Sequence, residues 1–222
     1  MLAETLISPH LPAAQPDQSI AQLLGQMQRF NVLHLPVVEG KHCRGLIARM
    51  HLEQLNAPED LLAAHLDELP ILQLSVNGKQ HFFDIIELMN QHMLSLVPVL
   101  DADQHYLGAV SQAEVIRALN QITAAEEPGY IIVLNLKKQD YSLTEIASIV
   151  ESNHARILSL YMSPGEDPRA VYVNLKISGE ASGPVVLSFQ RYSYEVAYVF
   201  SSAQEAQDTR ERYDALMRFL NI

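Results

Sequence analysis

Cysteine is nearly absent from this 222-residue sequence, in which Cys43 is the only one. A single cysteine excludes an intrachain disulfide and a zinc site built from several thiolates. The nine histidines show no His-x-x-His or His-Glu-x-x-His spacing, so the sequence predicts no metal site. Cys43 falls in a predicted strand, where we expect a buried and unreactive thiol.

Basic residues are also scarce, because 15 lysines and arginines face 26 acidic residues and leave a net charge of −11. This balance argues against a protein that grips nucleic-acid phosphates. The sequence has no run of 18 apolar residues, and its start lacks the basic and apolar regions of a secretory signal. We therefore expect a cytoplasmic protein with no membrane partner.

The short motifs of common enzyme classes are missing. Neither a Walker A loop, nor G-x-S-x-G, nor G-x-G-x-x-G occurs, and no carboxylate pair or Cys–His set stands out. An enzyme is thus the least favoured interpretation.

What the sequence does contain is a repeat in its first half. Residues 16–47 and 77–110 share a pattern of apolar, proline and glycine positions. The matched pairs are Met27 with Met89, Pro36 with Pro98 and Val37 with Val99 at a spacing of 62, and Gly45 with Gly108 at 63.

Each copy predicts a helix, two short strands joined by a polar turn, and a second helix. In the first copy, Ser19 and Gln22 have the spacing of a capping box at the start of the first helix. The predicted strands are 33–38 and 43–48 in the first copy and 96–100 and 106–110 in the second, and the predicted second helices are 52–66 and 114–122.

This doubled pattern resembles the cystathionine-β-synthase (CBS) domain, which occurs as tandem pairs. We assign the first CBS motif to residues 1–65 and the second to residues 66–126. The resemblance implies a pseudo-twofold pair with two clefts, and such clefts commonly bind adenosine-containing ligands. It therefore implies AMP, ADP, ATP or S-adenosylmethionine as a regulatory ligand, with no permanent cofactor.

The family's ligand motif is Gly-apolar-apolar-Thr/Ser-x-x-Asp, in which the hydroxyl and carboxylate approach ribose or phosphate. The second copy nearly matches it with Gly108, Ser111 and Glu114, whereas the first copy has Ala48 and His51 at the polar positions. The resemblance thus implies that any competent cleft is the one beside Ser111 and Glu114. The alternative is that Ser111-x-x-Glu114 is only a helix capping box. The full set of predicted ligand-binding residues is Ser111, Glu114, Ala109, Pro98, Leu72, Arg117, Arg49 and His51.

Two of these residues, Arg49 and Arg117, could offer a guanidinium fork to a phosphate, or could be solvated surface residues. His51 could titrate near neutral pH and is a candidate switch. His34 interrupts an apolar strand, and we expect it to be packed or to face a cleft.

The composition shifts at residues 124–129, after which eight of the nine tyrosines occur. The order that follows is βαββαβ, with strands 130–136, 157–162, 170–177 and 195–200. Its two helices begin after a capping box at Ser142 and at Pro184. The fold class is therefore α+β: a tandem CBS pair followed by a ferredoxin-like domain.

The βαββαβ order resembles the ACT domain, assigned here to residues 127–201, and residues 202–222 form a predicted C-terminal amphipathic helix. Asp140 and Tyr141 stand where that family usually has Pro and Gly before its helix. Tyr141 could fill the amino-acid pocket or contact a partner, so a dimer-forming role is favoured over sensing.

CBS motifs followed by an ACT-like unit resemble the acetoin-utilisation accessory proteins in module order. The resemblance implies a non-catalytic regulator, a homodimer, that binds a small adenosine-type ligand and acts on an unidentified protein target. The alternative is a constitutive dimeric scaffold with degenerate ligand clefts.

Overall fold

The computed structural model describes residues 1–179 and 182–201. The chain divides into two compact units, Met1–Ala118 and Leu119–Ile222. Within the described residues, no helix has both the length and the apolar character needed to cross a bilayer.

The first copy of the repeat follows the predicted order through its hairpin. Ser19 caps the first helix and forms both hydrogen bonds of the predicted capping box with Gln22. The helix ends at Asn31, whose left-handed backbone (φ 52°) closes the last turn. The elements are α1 (Ile20–Phe30), β1 (His34–Glu39), β2 (His42–Ala48) and α2 (Arg49–Gln54).

The second copy repeats this order. Its first helix ends at Met93, which also adopts a left-handed conformation (φ 53°) and lies 62 residues after Asn31. The elements are β3 (Val76–Asn77), α3 (Phe82–His92), β4 (Leu96–Leu100), β5 (Tyr106–Ser111) and α4 (Gln112–Ile122).

The two hairpins have the same register, which confirms the repeat. Pro36 pairs with Leu46 in the first, and Pro98 pairs with Ala109 in the second. A register shift follows the next pair in both hairpins, after Val37 and after Val99. Such a bulge adds a residue to one strand and increases its twist.

The copies also exchange backbone segments. Ser8, which precedes the repeated pattern of residues 16–47 in the first copy, donates its N–H to Ala109 O of the second copy at 2.9 Å. Conversely, Leu72 exchanges two hydrogen bonds of 2.8 and 2.9 Å with Leu46 of the first copy. His42 forms an antiparallel bridge with its own counterpart, His105. Reciprocal exchange and self-pairing of equivalent residues are what a two-fold arrangement produces.

The predicted helix 52–66 is wrong. α2 ends at Gln54, Asn56 takes a left-handed backbone (φ 51°), and only a 3-10 turn forms at Leu62–Ala64. Pro58 contributes to the break, because proline lacks an N–H and restricts the residue before it.

The second unit has the predicted βαββαβ order in one four-stranded sheet. The sheet order is β7-β8-β6-β9, and each neighbouring pair is antiparallel, as in a ferredoxin-like fold. Pro184 is the second residue of its helix rather than the first. The elements are β6 (Tyr130–Lys137), α5 (Leu143–Ser152), β7 (Arg156–Pro164), β8 (Ala170–Ser178), α6 (Gly183–Arg191) and β9 (Glu195–Phe200).

One face of this sheet forms part of the apolar core of the second unit. Alternate residues of β8 are buried, as a half-buried strand requires, and they join Tyr130 and Phe189 in one apolar cluster. The predicted C-terminal helix lies outside the described residues.

Candidate ligand cleft

The polar residues predicted for the second copy form one connected cluster. Ser111 is the last residue of β5 and is only 8% exposed, and its hydroxyl donates a hydrogen bond to Glu114 Oε2 in the first turn of α4. One helical turn further on, Arg117 Nη1 donates to Glu114 Oε1 at 2.7 Å. The helix therefore places a hydroxyl, a carboxylate and a guanidinium side by side.

These contacts set the charge of the cluster. Partial burial tends to raise the pKa of the Glu114 carboxyl, but the hydrogen bonds from Ser111 and Arg117 outweigh it and hold the pKa below its ordinary value. The Glu114 side chain is 13% exposed, whereas that of Arg117 is 70% exposed. A nearly buried carboxylate thus lies beside a guanidinium that is free to reorient in solvent.

The helix-cap alternative can be compared with a real capping box in the same unit. At the start of α1, Gln22 N–H donates to Ser19 Oγ at 3.3 Å. Ser111 instead uses its hydroxyl as a donor to the Glu114 carboxylate, and within the described residues it accepts no hydrogen bond from Glu114 N–H. The Ser111–Glu114 pair is therefore a side-chain interaction rather than a capping box.

Two further predicted residues, Pro98 and Ala109, are paired in the β4–β5 hairpin that leads to Ser111. Ala109 is buried, and its carbonyl holds the Ser8 segment in place. These two residues shape the backbone near the cluster.

Of the remaining three predicted residues, Arg49 and His51 lie in the first copy, whereas Leu72 lies at the start of the second CBS motif. Leu72 pairs with Leu46, and Arg49 Nε forms an exposed ion pair of 2.7 Å with Glu53. His51 lies on α2 close enough to His34 to affect its charge. Within the described residues, no hydrogen bond or ion pair joins these three to Ser111, Glu114 or Arg117. The eight predicted residues thus divide between the two copies.

A polar contact between the copies was missed because it depends on Ser95. His34 Nδ1 lies 3.1 Å from Ser95 Oγ, and the N–H groups of Leu33 and His34 donate to the same oxygen at 2.9 and 3.1 Å. Burial, with a smaller effect of His51, lowers the pKa of His34. Ser95 occupies the position equivalent to Leu33, and its small size was the only sequence signal.

A cavity of about 610 Å³ in the first unit was also not predicted. It is lined by residues of β2, the segment 71–75 and the end of β4, including Cys43, Gly45 and Leu100. None of the eight predicted residues lines it. Cys43 is half-buried rather than fully buried as expected, and its partial burial raises the pKa of the thiol, which favours the unreactive form.

The second unit contains a larger cavity of about 900 Å³ beside the β6–α5 connection. Lys138, Arg169 and Asp140 line its charged side. At its inner side Tyr194 donates to Glu145 Oε2 at 2.5 Å. Tyr141 packs against the apolar core.

Comparisons with known proteins agree with the repeat. A model of the CBS domain family matches residues 3–53 and 69–121. Among solved structures, a CBS domain pair/ACT domain protein from Thermotoga maritima is 18% identical (TM-score 0.47) over 54% of this chain and 96% of that one. CBSX2 from Arabidopsis thaliana, in complex with AMP, is 21% identical (TM-score 0.46) over 55% and 97%. A protein from Vibrio cholerae described as an acetoin-utilisation protein is 19% identical (TM-score 0.48) over 57% and 96%.

Proposed function

We propose that this protein, in which a model of the CBS domain family matches residues 3–53 and 69–121, is a non-catalytic regulator that binds an adenosine-containing ligand in the predicted cleft beside Ser111 and Glu114. The observation that carries the proposal is the cluster of Ser111, Glu114 and Arg117. It combines a carboxylate that can accept from ribose hydroxyls with a guanidinium that can bind phosphate.

Binding would rearrange this cluster. A ribose hydroxyl would take over one of the lone pairs of Glu114 now used by Ser111 or Arg117. The Arg117 guanidinium, which is mostly exposed, would turn from Glu114 to a phosphate, and the ribose hydroxyl would replace a contact that contributes about 1 kcal/mol. The cluster would thus exchange internal contacts for ligand contacts.

Regulation would follow from the exchanged segments. The Ser8 segment is anchored on Ala109, two residues before Ser111. A ligand that binds one arrangement of the two copies more tightly shifts the equilibrium by its differential affinity, typically about 1–3 kcal/mol. We infer that a homodimer presents this change to a protein target.

The test is calorimetric titration and thermal unfolding of the full chain with AMP, ADP, ATP and S-adenosylmethionine. At a ligand concentration of 100 Kd, we expect a stabilisation of about 2.7 kcal/mol. Glu114→Gln should weaken binding by roughly tenfold or more, since it removes the charge that accepts the ribose hydroxyls. Ser111→Ala should weaken binding less.

The matched control is Glu87→Gln, because Glu87 is an exposed carboxylate on α3 of the same unit that accepts a hydrogen bond from Gln91. It should leave binding unchanged. No stabilisation by any of the four ligands, or equal binding by the Glu114→Gln variant, would contradict the proposal.

A scaffold is the second candidate, and exposed apolar residues at the end of the edge strand β9 favour it. Tyr198 and Phe200 are 54% and 55% exposed, and their rings stack with centroids 6.1 Å apart. Such a patch on a sheet edge is typical of an interface. A dimer in sedimentation equilibrium that becomes a monomer in Tyr198→Glu, with no ligand response, would favour this function.

A further inference from the structure

The two hairpins of the CBS pair meet at a cluster of metal-ligating side chains. His42 begins β2 and its counterpart His105 precedes β5, and the two form an antiparallel bridge. Tyr106 N–H donates to Lys41 O at 2.8 Å beside them, so the hairpin ends are held together by backbone contacts. The rings of His42 and His105 are tilted by 51° to each other, and their centroids lie 5.6 Å apart.

Two carboxylates from the second turn complete the cluster. One ligand atom from each of Asp101, Asp103 and His105 lies within 4.8 Å of the other two. Asp101 Oδ2 lies 3.2 Å from His105 Nδ1, and Asp101 Oδ1 accepts from the backbone N–H groups of Asp103 and His105 at 2.9 and 2.8 Å. Asp101 therefore fixes both the turn and the orientation of the His105 ring.

A histidine that binds a metal almost always donates its other ring N–H to a carboxylate, a carbonyl or water, and Asp101 supplies such a carboxylate to His105. Zinc binds imidazole nitrogen at about 2.0–2.1 Å in tetrahedral geometry, which places the centroids of two ligating rings roughly 5 Å apart. The observed 5.6 Å separation of His42 and His105 is close to this spacing. Two imidazoles with carboxylates match the ligand preference of zinc and similar divalent transition metals.

Among the residues that the structure describes, the ligand atoms of the cluster are not occupied by neighbouring charged side chains. Arg44 is paired with Glu39 at 3.2 Å, so its charge is compensated within the first hairpin. In the part of the chain that the structure describes, no hydrogen bond or ion pair engages the Asp103 carboxylate or the His42 ring. His42 and Asp103 are also exposed, so their side chains can rotate toward a shared ion.

We propose that His42, His105 and Asp103, with Asp101 as ligand or as the support of His105, form a zinc-class metal site that joins the two CBS copies. Asp101, Asp103 and His105 lie close together in the sequence, but His42 comes from the other hairpin, so no single short motif contains the whole site. A bound ion would fix the two hairpins relative to each other at their point of self-pairing.

The test is calorimetric titration of the EDTA-treated and dialysed full-length protein with Zn²⁺, followed by Co²⁺ as a spectroscopic probe. We expect one equivalent to bind, a rise in Tm, and the visible absorption of tetrahedral Co²⁺. His42→Ala and His105→Ala should each weaken Zn²⁺ binding by more than about tenfold. Mg²⁺ should not compete, since it prefers octahedral oxygen ligands.

His65→Ala is the matched control, because His65 also contacts two carboxylates, Asp60 at 3.0 Å and Glu68 at 4.0 Å, but has no partner histidine in this contact. It should leave Zn²⁺ affinity and the Co²⁺ spectrum unchanged. Because His42 is exposed, His42→Ala should keep the metal-free Tm of the parent, which separates loss of ligand from loss of fold. Unchanged affinity in both His42→Ala and His105→Ala, or an equal loss in His65→Ala, would overturn the proposal.

Discussion

The two copies of the repeat have hairpins with nearly the same backbone but different chemistry. Both hairpins place proline opposite an apolar residue and shift register at the same point. Where the second copy has Ser111 and Glu114 in contact, the first has Ala48 and His51. The comparison shows that the apolar positions carry the fold, while the polar positions have diverged without altering it.

The glycines before these positions differ in what surrounds them. Gly45 and Gly108 both have positive φ angles, 134° and 151°. A methyl group at Gly45 would collide with the backbone carbonyl of Leu72, whereas one at Gly108 would meet the Ile7 side chain. Backbone cannot give way as easily as a side chain, so equivalent substitutions should have unequal costs.

The largest expected effect is therefore on stability. Gly45→Ala should lower the free energy of unfolding by about 3–4 kcal/mol, from backbone strain and the collision with Leu72. Gly108→Ala should cost about 1–2 kcal/mol less. Urea unfolding of both variants measures the difference.

Ile7→Ala provides the control for this comparison, because it removes the side chain that a methyl group at Gly108 would meet. The double variant Gly108→Ala/Ile7→Ala should be more stable than the two single costs added together predict. Additive costs, or equal losses of stability in Gly45→Ala and Gly108→Ala, would contradict the distinction between a backbone collision at Gly45 and a side-chain collision at Gly108.

The next test transfers the polar residues from one copy to the other. Ala48→Ser with His51→Glu places the hydroxyl and carboxylate of the second copy on the equivalent backbone of the first. If the shared register is sufficient, titration with the adenosine ligand that the parent binds should show a second, weaker site. Ala48→Ser alone is the control and should add none, and a stoichiometry unchanged in the double variant would show that backbone equivalence is not enough.

This comparison also shows why much of the fold could be predicted. The pairs Pro36–Pro98 and Gly45–Gly108 recur at fixed spacings, and buried strands require such apolar patterns whatever the ligand chemistry. The contact of Glu114 with Arg117 was foreseeable because residues three apart lie on one face of a helix, and Ser111 directly precedes that helix. Local periodicity therefore predicted the hairpins and most of the second-copy cluster.

Long-range backbone contacts could not be predicted in this way. The pairing of Ser8 with Ala109, and of Leu72 with Leu46, leaves no periodic signal, since any residue can offer its N–H and carbonyl. The prediction of a helix over residues 52–66 was wrong because it gave more weight to apolar residues at helical spacing than to the break at Asn56 and Pro58. The meeting of His42 with His105 depends on how the hairpins associate.

A smaller effect concerns pH and distinguishes His34 from its counterpart, Leu96. The folded state lowers the pKa of His34 from 6.5, mainly by burial and secondarily through His51. Below pH 6.5 the unfolded chain therefore binds a proton more readily, so the stability gained from neutral His34 is lost as the pH falls toward the folded pKa. Protonation would also place a proton on His34 Nδ1, which accepts a hydrogen bond from Ser95 N–H with 3.2 Å between the two nitrogens.

Thermal unfolding between pH 5 and 8 measures this effect as the difference between parent and variant. His34→Leu, which copies the second repeat, should show a smaller fall in Tm below about pH 6.5 than the parent. His51→Ala should remove a smaller part of the fall, because its effect on the pKa is secondary. His92→Gln, an exposed change at the end of α3, should keep the parent profile. Parallel profiles for His34→Leu and the parent would show that the lowered pKa of His34 does not cause the fall in Tm.

The smallest expected difference lies between the two ion pairs that follow the hairpins. Arg49–Glu53 is exposed on both sides, at 38% and 49%, whereas Arg117–Glu114 joins an exposed guanidinium to a carboxylate only 13% exposed. Glu53→Gln should change the free energy of unfolding by less than about 0.5 kcal/mol, as surface pairs usually do. Arg117→Gln should cost about 1 kcal/mol, since it leaves the nearly buried Glu114 charge with Ser111 as its remaining side-chain partner within the described residues. In 1 M salt the destabilisation by Glu53→Gln should vanish, while the destabilisation by Arg117→Gln should persist, because buried charges are screened less. Equal values at both salt concentrations would mean that the two copies do not differ in their electrostatics at all.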